Sequence, residues 1–139
     1  MLVNVEGYEI LEGLYYSKDW MWIKIENGKA KVGITDYAQK QMREIVFVEL
    51  PSVGSQIKKD EPFGTLESVK SVSDLISPLT GKVAEVNSRA IESPEIINGD
   101  PYGEGWLIVV EPKNLETELA TLMTFEQAVE WYREIARER

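Results

Sequence analysis

Asn27-Gly28 sits inside an alternating stretch, Trp20 to Ile34, and constrains the fold more than any other dipeptide in the chain. Both residues tolerate positive φ, which a two-residue hairpin turn demands. A turn there pairs Ile25 with Ala30, Ile23 with Val32 and Met21 with Ile34, so the apolar pairs share one face. A slip of one residue would scatter them, which fixes the register. Trp22, Lys24, Glu26, Lys29 and Lys31 fall on the opposite face.

The same grammar of short strands and turn residues runs on. Thr35 caps an expected helix to Met42, with Asp36 near its positive end. Ile45-Val-Phe-Val-Glu-Leu50 reads as a strand that Pro51 and Gly54 end. Gln56-Ile57 is a brief strand, and Lys82 to Val86 and Trp106 to Val110 are longer ones. Residues 87–105 read mostly as loop, with one helical turn near Pro94 to Ile97. A helix is expected over Leu115 to Met123. Thr124-Phe-Glu-Gln127 then matches a capping box, opening a last helix with the stripe Phe125, Ala128, Val129, Tyr132, Ile135 and Ala136. The chain of 139 residues is expected to be one mainly β domain, 1–139, with residues 1–13 an N-terminal extension holding one strand and residues 114–139 a helical cap.

Composition narrows the chemistry. There is no cysteine and no histidine, which removes thiol nucleophiles, thiolate metal sites and the usual neutral-pH base. No catalytic residue and no metal ligand set is assigned. Redox or transfer chemistry would have to come from something attached or bound. A net charge of −9 disfavours nucleic acid and favours partners with basic patches. No apolar run reaches membrane-spanning length and no signal peptide opens the chain, so the expectation is a cytoplasmic monomer without membrane contact.

The segment from Gly64 to Gly81 carries the functional signal. Lys70 lies at the centre of a near-palindrome, Ser68-Val-Lys70-Ser-Val-Ser73, with Glu67 and Asp74 just outside it. Phe63 to Val69 and Val72 to Ile76 read as a hairpin whose turn centres on Val69-Lys70 or on Lys70-Ser71. A lysine held out alone between small or β-branched neighbours suits covalent loading with a swinging cofactor. Against this stands the ordinary state of a surface lysine, a solvated charge, and Lys70 is one of ten lysines. Trp20, Trp22 and Trp106 read as packing residues, and Gly99, Gly103 and Gly105 as turn formers rather than a phosphate cradle.

Glu67-Ser-Val-Lys70-Ser-Val-Ser-Asp74, with Ser77-Pro78 and Gly81, resembles the lipoylation segment of the glycine cleavage system H protein family. Further blocks match in order: Val32-Gly-Ile-Thr-Asp-Tyr-Ala-Gln39, Ile45 to Pro51, Gly64, Glu85-Val-Asn87, Glu95 with Ile97-Asn98, and Asp100 to Trp106. The likeness spans about Leu11 to Met123. It implies a lipoyl/biotinyl-type barrel-sandwich hybrid with short flanking helices. It implies lipoate in amide linkage on Lys70 and a carrier rather than an enzyme. The partners it implies are a pyridoxal-phosphate glycine decarboxylase, a folate-dependent aminomethyltransferase, dihydrolipoyl dehydrogenase and a lipoyl-attaching enzyme. In that family the cargo's ammonium rests in a cleft, at positions that align with Ser17, Asp19 and Asp74, while Glu67 aligns with lipoylation recognition. Two places depart from the family pattern. Lys18-Asp19-Trp20 stands where His-Glu-Trp is usual, and Arg43-Glu44 stands where a glycine and an acid precede Ile-Val-Phe.

Other readings differ in class. An H-like lipoate carrier could serve a sulfur-oxidising heterodisulfide-reductase-like complex or a lipoate relay. Glu67 and Asp74 could form an acid/base pair of a hydrolase or transferase, although the lysine between them and the short chain argue against it. A biotinyl carrier would place methionines around the lysine, where Val69 and Ser71 stand.

Overall fold

The structure is a computed structural model that describes residues 1–138. Among the described residues, eleven short strands and five helices make up a mainly β fold. The hairpin of β4 (Met21–Glu26) and β5 (Lys29–Ile34) has the register that its turn demands, with Ile25 opposite Ala30, Ile23 opposite Val32 and Met21 opposite Ile34. Asn27 and Gly28 both adopt positive φ. Together with β3 (Tyr15–Tyr16), β7 (Gln56–Ile57), β10 (Gly81–Val86) and β11 (Ile108–Pro112), this hairpin builds one antiparallel sheet in the order β3-β4-β5-β11-β10-β7. The second sheet is β6-β8-β9, from β6 (Ile45–Glu49), β8 (Pro62–Ser68) and β9 (Val72–Ile76). Both sheets feed one apolar core: Met21, Ile23 and Val32 from the first meet Val48, Leu66 and Leu75 from the second.

Trp22 departs from simple alternation. It lies on the face away from that core yet is only 1% exposed. A second cluster covers it, built by the N-terminal segment, α1 (Asp36–Met42) and α5 (Phe125–Arg137). Its Nε1 donates to the Pro101 carbonyl at 2.9 Å. Gly33 lies directly opposite, and a Cβ there would meet the Trp22 ring at 2.6 Å. The indole is enclosed and hydrogen-bonded, so it cannot retreat. Gly33→Ala is expected to cost about 2 kcal/mol by overpacking, read as a lowered urea midpoint with an altered tryptophan near-ultraviolet CD band.

The N-terminal extension holds two strands rather than one, β1 (Leu2–Val5) and β2 (Tyr8–Leu11), joined at Glu6-Gly7 with φ of 53° and 92°. It docks on α1 through buried Asp36, which accepts from Glu9 N at 2.9 Å and pairs with Lys40 at 3.0 Å. Residues 87–105 also carry more helix than expected. Asn87 caps α2 (Ser88–Glu92), and α3 (Glu95–Gly99) follows. The expected helix from Leu115 shortens to α4 (Leu115–Leu119), which Glu118 pins to Thr80 by two 2.7 Å bonds. The Thr124 capping box opens α5 as expected. Among the described residues no helix is long and apolar enough to cross a membrane.

Candidate functional site

Lys70 sits in the exposed turn between β8 and β9. Glu67 pairs with Val72, and Ser68 N donates to Ser71 O at 2.8 Å, so the turn centres on Val69-Lys70. Neither residue has the positive φ of the favoured hairpin turns. The side chain of Ser68 makes good the difference. Its buried Oγ accepts from Lys70 N at 3.1 Å and Ser71 N at 3.0 Å. The lysine is therefore projected from a turn held at its base by a hydroxyl.

The turn adjoins a cleft of about 150 Å³ between the two sheets and α1. Ser71 Oγ approaches Met42 Sδ at 4.0 Å, and Met42 is part of the cleft wall. The floor and walls are apolar: Met21, Ile34, Ala38, Leu66 and Leu75, with Trp20 and Tyr37 beside them. Asp19 and Asp74 both line this cleft, as do Gln41 and Ser73. Such a slot suits an aliphatic chain ending in a ring, with carboxylates available to a cation.

The sequence-predicted residues are thus distributed unevenly. Asp19, from the turn before β4, and Asp74, from β9, line the same cleft. Ser17 does not line the cleft; it is buried and its Oγ accepts from Met21 N at 3.2 Å, capping the local turn. Glu67 faces outward on the far side of the hairpin, exposed between Phe47 and Val72. Lys18 and Asp19 are exposed, and among the described residues no ion pair joins them.

Trp20, expected as core or lid packing, forms a wall of the cleft. Its φ of 77° is a left-handed conformation that strains a bulky residue. Tyr37 stacks on it at 5.1 Å, and Trp131 of α5 lies against it at 5.4 Å. Trp131 lies outside the apolar stripe read from the sequence. Its position three residues after buried Ala128 was the available signal. Arg43 occupies a glycine-like conformation too, with φ of 71°. Asn98 holds that corner: its amide donates to Arg43 O at 2.8 Å and to Gln39 Oε1 at 2.9 Å, and its Oδ1 accepts from Ile45 N at 2.9 Å. The departure at Arg43 therefore keeps a backbone shape that suits glycine.

Comparison with known proteins agrees with this architecture. The family model described as "Glycine cleavage H-protein" matches residues 14–135. The glycine cleavage system H protein of Bacillus velezensis is 55% identical over 112 residues, covering 81% of this chain and 87% of that protein. The Bacillus subtilis protein of the same name is 50% identical over 93% of this chain and 98% of its own length. The probable glycine cleavage system H protein of Pyrococcus abyssi is 46% identical over 96% of this chain and all of its own. A crystal structure of a glycine cleavage system H protein from Mycobacterium marinum superposes with a TM-score of 0.81 at 38% identity, covering 88% of this chain and 98% of that one. The chain belongs to the glycine cleavage H-protein family.

Proposed function

We propose that this chain is the lipoyl-bearing carrier of a glycine cleavage system, with Lys70 as the attachment point. The carrying observation is the juxtaposition of an exposed, hydroxyl-anchored lysine turn with an apolar cleft that Asp19 and Asp74 line. The residues fit the group: apolar walls suit the dithiolane and its chain, and the carboxylates suit a cationic cargo. When bound, lipoate supplies the sulfur that accepts and releases the aminomethyl group. The protein's own part is to present the Lys70 amine, to shelter the arm against Trp20, Met42 and Leu75, and to keep the cargo's amine protonated beside Asp19 and Asp74.

The partners in this reading are glycine decarboxylase, the aminomethyltransferase, dihydrolipoyl dehydrogenase and a lipoyl-attaching enzyme, met in the cytoplasm by residues 1–139 acting as one carrier domain. No catalytic residue is needed, because the chemistry belongs to those enzymes. The family match favours this reading over the sulfur-pathway carrier and the lipoate relay.

Intact mass of the protein made in its own host tests the attachment, and glycine–bicarbonate exchange with purified glycine decarboxylase tests the pathway. An unmodified native protein, or exchange at background with a lipoylated one, would remove the reading. For the cleft, Asp19→Asn and Asp74→Asn are each expected to shorten the lifetime of the carried aminomethyl group by about three- to tenfold, the worth of a partly exposed charge-assisted hydrogen bond. Unchanged lifetimes would take both carboxylates out of the pocket. Ser17→Ala is expected to leave that lifetime unchanged, since its hydroxyl serves the Met21 amide.

A further inference from the structure

Trp20 stands where the backbone would suit glycine. Its φ of 77° lies in the left-handed region, which a bulky side chain enters only under strain. Such a conformation persists where the surroundings over-determine it, and here they do. Ser17 N donates to Met21 O at 3.0 Å, closing the turn, and Thr35 N donates to the Trp20 carbonyl at 2.9 Å. Tyr37 stacks on the indole with the planes 18° apart, and Trp131 lies against it at 33°. The indole packs against both apolar clusters. One is the main core, whose Met21, Ile34 and Leu66 floor the cleft; the other is the second cluster, to which α5 contributes Ala128 and Tyr132. Asp19 precedes Trp20 in the same turn, exposed and lining the cleft. One strained turn therefore supplies the cleft with a ring and a carboxylate.

We infer that Trp131 is a positioning residue for the carried arm: it acts through Trp20, holding the strained turn so that the indole walls the cleft and Asp19 stays at its rim. This rests on the reading that the loaded arm shelters in that cleft. Trp131 does not line the cleft itself, and it reaches the site from the middle of α5 through the Trp20 ring. The same helix holds Trp20 from the backbone side. Tyr132, the next residue, is buried and donates to Thr35 Oγ1 at 3.2 Å, and the Thr35 amide binds the Trp20 carbonyl. Tyr37 bears on the indole from α1 and itself lines the cleft, so support from outside the site comes from α5. An aliphatic side chain at 131 would fill much of the space. It would lack the flat face and the quadrupole that set the angle of a neighbouring indole. Without that face the bulky Trp20 is free to leave its left-handed conformation, and Asp19 moves with it.

The test compares Trp131→Leu, which keeps apolar bulk and helix propensity, with Trp131→Phe, which keeps an aromatic face. On lipoylated protein loaded from glycine by glycine decarboxylase, Trp131→Leu is expected to shorten the lifetime of the aminomethyl group by about two- to tenfold, the worth of one aromatic pair. Trp131→Phe should restore most of it. Val129→Ala is the control: Val129 lies on the same helix and packs on the same cluster, so the thermal midpoint should fall while the lifetime holds. A second readout needs no cofactor. In unlipoylated protein labelled with fluorotryptophan, the Trp20 fluorine resonance should shift and broaden in Trp131→Leu and return toward its wild-type position in Trp131→Phe. If Trp131→Leu does not fold, Trp131→Met, unbranched and equally helix-forming, takes its place. Either a wild-type lifetime or an unmoved Trp20 resonance in the folded variant would overturn the proposal. So would a loss in Val129→Ala as large as that in Trp131→Leu, which would mean general loosening of α5. An aminomethyl group no longer-lived on the wild type than on free lipoamide is a different result: it removes the sheltered arm itself, and the proposal with it.

Discussion

Lys70→Arg is expected to give a folded protein that gains no lipoyl mass and supports no glycine–bicarbonate exchange above background. The substitution keeps the positive charge and most of the aliphatic stem. It replaces a primary amine, which is nucleophilic when deprotonated, with a guanidinium that stays protonated throughout the accessible pH range. The fold should barely register the change. Lys70 is exposed, its turn is held by its backbone amide on Ser68 Oγ, and among the described residues its ammonium enters no ion pair. The unfolding free energy should therefore move by no more than about 0.5 kcal/mol. Other lysines are poor substitutes. Lys40 is bound to Gly7 O and Asp36, Lys59 lies by Pro78 O and Asp60, and Lys31 sits over the Trp106 ring. Lys40 lies on α1 and Lys31 on β5, while Lys59, although in a turn, is only partly exposed. Intact mass, thermal midpoint and exchange on the same preparation check the prediction together. Lipoyl mass on the variant would move the attachment point elsewhere.

What the sequence disclosed, and what it hid, follows from how local each feature is. The Asn27-Gly28 hairpin was legible because its turn residues and its apolar period agree on one register. The lysine hairpin left two registers open because Val69-Lys70 carries no turn-forming signature. The choice is made by Ser68 Oγ, whose role depends on where its side chain points. Glu6-Gly7 hid a hairpin for a related reason: Glu6 adopts positive φ without the asparagine or aspartate that usually advertises it. The second helix near residue 90 is only five residues long, too short for a period to show. Trp22 illustrates the larger limit. Alternation assigned it correctly to the face away from the main core, but its cover comes from the N-terminal hairpin, α5 and the loop at Pro101.

The cleft was half legible. Asp19 and Asp74 were singled out by resemblance, and only the meeting of the two sheets with α1 brings them to one cavity. Ser17 was singled out in the same way; its Oγ accepts from the Met21 amide, and it does not line the cleft. Physical chemistry had already supplied that alternative, since serines at strand starts often cap local turns. The aromatic wall of Trp20 and Tyr37, with Trp131 packed against Trp20, was out of reach, because it joins residues from three distant segments.

Raising the pH above about 10 is expected to destabilise this protein steeply, and the cause lies in three phenols behind that wall. Burial, the largest influence in each case, pushes the Tyr16, Tyr102 and Tyr132 hydroxyls up from the ordinary 10.0. Each stays protonated in the fold and works as a donor: Tyr16 to Leu11 O at 2.6 Å, Tyr102 to Glu9 O at 2.6 Å, Tyr132 to Thr35 Oγ1 at 3.2 Å. Below pH 10 both folded and unfolded chains keep these protons, and the contribution is constant. Above it the unfolded chain releases them while the folded chain retains them. The unfolded state then binds fewer protons, so stability falls as pH rises. The limiting slope is about 1.4 kcal/mol per pH unit for each phenol. For all three the loss between pH 10 and pH 11 is about 3 kcal/mol, a large share of the usual stability of a small domain. The three bonds tie β2 and α5 to the body of the molecule, and Thr35 caps α1, which walls the cleft. Alkaline loss of stability should therefore loosen the N-terminal hairpin and α5 together and open the site. Urea midpoints measured from pH 8 to pH 11 check the slope. Tyr132→Phe should remove about a third of it, at a cost of about 1 kcal/mol at neutral pH from the lost bond to Thr35. A midpoint that stays flat across pH 10, or a slope that Tyr132→Phe leaves untouched, would mean that these phenols do not hold the two elements in place.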